Sequence, residues 1–279
     1  MKFSDNCAKC MYDRQLKKTD NKDYLAEIKA ILDNRPDDIT SPELVVQFNK
    51  IHEKYFGPLP DYKDIKKEYN DLVLSMEDDL RKEIENSQDP LATSIVMCRI
   101  GNYIDFAALN QVDTGTFLNL FDDTKMRDDE QQVYESFCEK CSKAKSFLLL
   151  TDNCGEIVLD KLMIEQLIKR YPQLSVKVMV RGGEVSNDAT MEDALYVGID
   201  KVAEIITNGA QIAGTVYSKL SEEARMAVDN ADIIFSKGQA NYESFAGEGH
   251  HAFYTFLCKC ALFINRFNVP QLTGMFVEE

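Results

Sequence analysis

The chain has 279 residues, 44% hydrophobic and 28% charged, enough for one large domain or two modest ones and ordinary for a soluble globular protein. Its formal charge of −15 is spread along the sequence without an acidic tail, which argues against nucleic acid as a partner, because binding a polyanion needs clustered Lys and Arg. No apolar run approaches the roughly 18 residues of a membrane span, and Met1–Asn6 lacks the apolar core of a secretory signal, so no membrane partner and a cytoplasmic location are expected.

The first half reads as helices. Near the start, Cys7-Ala8-Lys9-Cys10 has the CxxC spacing, as does Cys138-Glu139-Lys140-Cys141. The two lie far outside the ~15–20 residue separation of a zinc ribbon. Eight cysteines in a cytoplasmic chain read as reduced thiols or metal ligands. For Cys7 and Cys10 the expectation is free thiols near a helix start, with structural zinc the alternative. Ser41-Pro42-Glu43 is a helix-start signal, followed by apolar residues at helical spacing until Phe56-Gly57-Pro58. A charge-rich helical segment follows over about 62–85. Asp89-Pro90 opens an apolar helix over about 91–109, and a last helix spans about 129–145.

The second half changes to strand patterns at 146–151, 175–181, 203–207, 232–236 and 253–258, with helical patterns between the early ones. Between the first two, Ile157, Val158, Leu162, Ile164, Leu167 and Ile168 are too apolar for a surface helix and should pack on a sheet. The fold expected is α/β: a Rossmann-like, mostly parallel sheet with flanking helices over 129–279, plus an amino-terminal all-helical domain over 1–128. A cleft should lie between them.

Polar clusters stand at the ends of these strands. Ser146-Phe147-Leu148-Leu149-Leu150-Thr151 runs into Asp152-Asn153-Cys154-Gly155-Glu156, and the next strand into Arg181-Gly182-Gly183 and then Asn187-Asp188. The carboxyl ends of parallel strands open at one edge, where ligands of open α/β sheets bind. Two Asp and two Asn there offer the hard oxygen donors that suit Mg²⁺, Mn²⁺ and related ions. Helix capping by Asp152 or Asp188 is the competing explanation. A third cluster, Ser236-Lys237-Gly238-Gln239-Ala240-Asn241, puts a Lys beside a Gly at a strand end, a place suited to phosphate. Three such clusters favour a site, because capping requires no convergence of carboxylates with a cation.

These segments, in this order, resemble the damage-control phosphatase family, metal-dependent phosphatases long known as a domain of unknown function. Gly101-Asn102-Tyr103-Ile104-Asp105-Phe106 resembles that family's signature in a helix of the amino-terminal half, and the early CxxC is typical of its smaller prokaryotic branch. The resemblance implies that Asp152, Asn153 and Asp188 bind the catalytic divalent metal (Mg, Mn, Co or Ni) and that Lys237 contacts the phosphate. Asp152 and Lys237 are then the catalytic pair, with Glu156, Arg181, Lys237, Asn102 and Asp105 as substrate-side contacts. Asn102 and Asp105 are three apart and share a helical face on the wall of the cleft. The reaction implied is metal-assisted hydrolysis of a small phosphorylated metabolite, a sugar phosphate or a damaged cofactor precursor.

Rival readings meet specific obstacles. A haloacid-dehalogenase-type phosphatase needs a second Asp where this chain has Cys154, and a Thr at the place of Glu156. A Rossmann-like methyltransferase needs a Gly-rich first turn, where this chain offers only Gly155. A non-catalytic protein that binds a metal or metabolite remains the other alternative. Oligomeric state is not legible.

Overall fold

The computed structural model describes residues 3–103 and 126–279. Three helices come first: α1 (Asp5–Leu16), α2 (Lys22–Asp33) and α3 (Ser41–Phe56). Ser4, Asn21 and Thr40 each accept a free backbone N–H at the start of one of them, and Thr40 forms a capping box with Glu43. The charge-rich segment expected as one helix is two, α4 (Lys63–Leu74) and α5 (Glu77–Asn86). At the break, Ser75 Oγ donates back to Leu72 O at 2.6 Å, a local bond that competes with the helical ladder. Then come α6 (Pro90–Gly101), capped by Asp89, and α7 (Gln131–Lys143). The expected extension of α6 to residue 109 lies outside the described residues.

The remainder alternates: β1 (Ser146–Leu150), α8 (Glu156–Arg170), β2 (Ser175–Val180), α9 (Met191–Val197), β3 (Glu204–Thr207), α10 (Glu222–Asp229), β4 (Ile233–Lys237), α11 (Gln239–Phe245), β5 (Phe253–Leu257), α12 (Ala261–Phe267) and β6 (Gly274–Glu278). The sheet order is β3-β2-β1-β4-β5-β6, with the first five strands parallel and β6 antiparallel to β5. This is the α/β, mostly parallel architecture expected. The edge strand β6 was not among the expected strands, since a single short run near the end offers little periodicity. The order reverses between β1 and β4, which makes their carboxyl ends the switch point where such sheets bind ligands.

Alternate residues of each strand feed opposite faces. Phe147 and Leu149 join a core that includes α8 and parts of α4 to α7, while Leu148 and Leu150 join one with α10, α11 and α12. A third, separate core belongs to α1, α2 and α3. Between Tyr55 and Tyr69 the chain passes from one core to the other: α4, α5 and α6 contribute to the core that includes the sheet rather than to that of α1 to α3. Among the described residues no helix is long and apolar enough to cross a membrane.

Helix α8 is buried along most of its length, sheet on one side and α6 on the other. The two helices approach closely at Gly101, where a Cβ would stand 2.7 Å from Leu159 Cδ1 and 3.2 Å from Glu156 Cα. Gly101→Ala should therefore push α6 off α8 and lower stability by about 1–3 kcal/mol, as overpacking does. A urea titration reads this directly, and an unchanged midpoint would refute the close fit.

Candidate active site

Two loops are zipped together at the switch point. Ala189 N donates to Asp152 O at 2.8 Å and Cys154 N to Asn187 O at 2.9 Å, and Asn153 and Asp188 form an isolated antiparallel bridge. The strand-end loops of β1 and β2 thus hold Asp152, Asn153 and Asp188 side by side, 7%, 4% and 5% exposed. None of them caps a helix. The N-cap of α8 is Gly155, without a side-chain cap, and that of α9 is Thr190, in a capping box with Asp193. Capping cannot explain why these carboxylates are buried.

Asp152 Oδ2 accepts from Asn102 Nδ2 at 2.8 Å and from Asn153 Nδ2 at 2.9 Å. Across the switch point it packs on Gly238 at the end of β4. A Cβ there would lie 2.0 Å from Asp152 Oδ2, and the backbone takes φ +83°. Burial, then Asp188 and Glu156, push the Asp152 carboxyl well above the usual range, while Arg181 and Lys259 pull it back. Arg181 is buried among oxygens: Nε donates to Asp188 Oδ2 at 2.5 Å, and Nη1 to Gly214 O at 3.1 Å and Asn241 Oδ1 at 3.2 Å. Its Nη2 lies 3.6 Å from Asp152 Oδ1 and has no hydrogen-bond partner among the described residues. Arg181 thus braces Asp188 and has its Nη2 amino group left over.

Beneath Asp152 lies a second layer. Glu156, fully buried, accepts from Asn102 Nδ2 at 3.0 Å and Asn153 Nδ2 at 3.3 Å through Oε2. Its Oε1 accepts from Lys237 Nζ at 2.6 Å. Lys237 Nζ also donates to Asp160 Oδ1 at 2.7 Å and Cys98 O at 3.1 Å, so all three ammonium protons are engaged. Lys237, expected to contact a phosphate, stands fully buried and tied to the underside of Glu156. The two carboxylates hold its pKa above the usual lysine range although burial works against them. The Asp160 carboxyl is raised by burial, lowered by Lys237 and raised again by Glu156, ending at about 6.

Sequence reasoning missed several residues. Lys259, two residues beyond β5, is a further cation whose charge reaches Asp152; it follows an apolar strand as Lys237 does, but without a neighbouring glycine. Asn70 Oδ1 accepts from Gly155 N at 2.7 Å and holds the first turn from α4, but no local pattern marks it. Asn241, inside the third cluster, donates to Thr151 O at 2.9 Å and Lys237 O at 2.7 Å, joining β1 to β4. Asp160 lies four residues after Glu156, a charge on a buried helical face that could have been noticed. Asn187 contributes its backbone to the zipper, and Asp105 lies outside the described residues.

Residues 3–273 match the damage-control phosphatase ARMT1-like domain. The chain belongs to the damage-control phosphatase family. It is 28% identical over 256 residues to a damage-control phosphatase from Archaeoglobus fulgidus, covering 87% of each chain. It is 29% identical over 181 residues to one from Pyrococcus horikoshii, covering 64% of this chain and 61% of that one. A crystal structure of a DUF89 family protein from Pyrococcus horikoshii has the same fold, with a TM-score of 0.77, 21% identity and 99% of both chains covered.

The donor set of this family member suits a hard divalent cation. Asp152 and Asp188 are carboxylates, and Asn153 offers a carboxamide oxygen when its amide turns over. Among the described residues no three His, Cys, Asp or Glu side chains converge as a ligand set, so water would complete the shell. Asn102 Oδ1, buried without a partner among the described residues, is a further polar atom left over beside Asp152.

The buried layer makes two separable predictions. Lys237→Met strands Glu156 and Asp160 and should cost about 3–5 kcal/mol of stability in urea near neutral pH; a loss below about 1 kcal/mol would show that the pair is solvated after all. For Asp160, whose pKa rises from 3.8 to about 6, the folded chain keeps a proton that the unfolded chain has released. Stability contributed by this group therefore falls as pH rises through that window and is flat above it. Asp160→Asn should lack that fall, so its stability relative to the parent should grow between pH 3.8 and about 6; a constant difference would contradict the assignment.

Proposed function

We propose that the chain is a metal-dependent phosphomonoester hydrolase of the cytoplasm, acting on small phosphorylated metabolites such as sugar phosphates or damaged cofactor precursors. The observation that carries this reading is the burial of Asp152, Asn153 and Asp188 together at the switch point with no capping role. The family to which the chain belongs supports phosphatase chemistry. Eight free thiols suit a reducing compartment.

Held by Asp152, Asn153 and Asp188, a divalent cation (Mg²⁺, Mn²⁺, Co²⁺ or Ni²⁺) supplies Lewis-acid polarisation of a phosphoryl oxygen. The chain's own groups do the rest. Asn102 and Asn153 orient the Asp152 carboxylate, and Arg181 fixes Asp188 while aiming its spare Nη2 toward Asp152. Lys259 offsets the charge of the bound phosphate. Glu156, Asp160 and Lys237 keep this layer rigid from below. Asp152 acts as a ligand, or also as the nucleophile; a trapped phospho-aspartate distinguishes the two.

The test is phosphate release from a panel of sugar phosphates after chelation, with each metal added back. Metal-restored turnover is expected, and Asp152→Ala should remove at least about 10³-fold of it, near 4 kcal/mol of barrier. Lys259→Ala should raise KM about ten- to hundred-fold, the size of a lost charged hydrogen bond, with a smaller change in kcat. Metal binding without turnover on any phosphoester would move the protein to a binding role.

A further inference from the structure

The Cys7 and Cys10 pair has no part in that chemistry. Both residues line a cavity of about 400 Å³ between α1 and α3 on one side and α11 and α12 on the other. Cys260, Gln239 and Glu243 share its wall. Gln239 knits that wall together: its amide donates to Glu243 Oε1 at 2.8 Å and to Cys260 Sγ at 3.6 Å, and its carbonyl accepts from Lys259 N at 3.1 Å. Three thiols from two distant segments therefore face one space.

A resident metal is one explanation for such a cluster, but its geometry is wrong. Among the described residues these sulfurs do not converge with one another, or with a carboxylate, as a ligand set. Access differs as well. Cys10 is exposed and Cys7 half-buried, both as free thiols, whereas burial pushes the Cys260 thiol up and keeps it protonated. What remains is a vicinal dithiol on one helix, open to a cavity large enough for a small molecule.

We infer that Cys7 and Cys10 are a redox-active dithiol that exchanges with small-molecule disulfides entering this cavity. The Cys10 thiolate attacks one sulfur of R–S–S–R and expels R–S⁻, leaving a mixed disulfide on Cys10. The Cys7 thiolate then attacks the Cys10 sulfur and expels the second R–S⁻. Two electrons pass to the small disulfide, and the two thiol protons go to the released thiolates. Residues three apart on a helix have Cβ atoms about 5–6 Å apart, and a disulfide needs about 3.5–4.5 Å. Closure must therefore tighten the first turns of α1 toward 3₁₀ spacing. Cys7 is held there by Ser4, whose Oγ accepts from Cys7 N and contacts Cys7 Sγ, both at 3.2 Å, so oxidation works against this cap. In a reducing compartment such a pair closes transiently, as a sensor does.

The inference stands apart from the phosphatase reading, and its test needs no substrate. The full chain is equilibrated with mixtures of reduced and oxidised glutathione, quenched by alkylation and mapped by mass spectrometry. Two of the eight cysteines should lose their thiols together, as a Cys7–Cys10 linkage without bound glutathione. Cys7→Ser should retain one glutathione on Cys10, and Cys10→Ser should form no linkage, with circular dichroism confirming that both variants fold. Retention of all thiols in excess oxidised glutathione would overturn the inference. So would glutathione left on Cys7 and Cys10 separately, or a linkage to Cys260.

Discussion

Glu156 and Lys237 meet at 2.6 Å with neither exposed to solvent, and much of the surrounding structure serves to make that pair tolerable. Taking two charges out of water costs several kcal/mol each, recovered only when geometry is good and the remaining donors and acceptors are satisfied. Here they are. Asp160 and Cys98 O take the other two ammonium protons, and Asn102 and Asn153 donate to the other Glu156 oxygen. The partners come from α6, α8, β4 and the turn after β1, so satisfying one ion pair fixes the relative positions of four elements. The layer that holds Asp152 and Asp188 rests on them.

The same bookkeeping applies to the upper layer, where carboxylates crowd one another. Asp152, Asp188 and Glu156 stand close enough for the latter two to raise the first, and the compensating charges are already committed. Arg181 is spent mostly on Asp188 and two neutral oxygens, and Lys237 on the lower layer. A divalent ion bound there would relieve this repulsion without rearranging the fold, because the zippered loops hold the oxygens by backbone bonds that do not depend on it. Gly238 contributes by absence: any side chain there would occupy the place of the Asp152 carboxylate.

Legibility followed the range of the interactions. Five strands, the capped helices and the strand-end residues Asp152, Asn153 and Asp188 were readable because each depends on period, local turn chemistry or the rule that parallel strands open at one edge. The partition of the cores was not. Charge-rich α4 and α5 look like surface helices, yet Val73, Leu80 and Ile84 pack with the sheet, a contact between segments far apart in sequence. Asn70 escaped for the same reason: its value lies in hydrogen bonds to Gly155 and Asp193, 85 and 123 positions away. The short edge strand β6 pairs only with β5 and has no pattern long enough to announce itself.

Lys237 and Lys259 show how strand parity separates two lysines that each follow an apolar run. Lys237 is still inside β4, and Ile233 and Phe235, four and two residues earlier, belong to the core beneath α6 and α8. Alternation sends Lys237 to that same face, where Glu156 and Asp160 await it, and away from the crevice. Lys259 has cleared β5 by two residues, so its direction is set by a loop at the carboxyl edge, within electrostatic reach of Asp152. A cation on the last residue of a strand inherits the strand's burial; one just beyond it takes its direction from the loop. Counting from the last core residue, rather than from the end of the apolar run, separates the lysine that holds the floor from the one carried by the loop at the carboxyl edge.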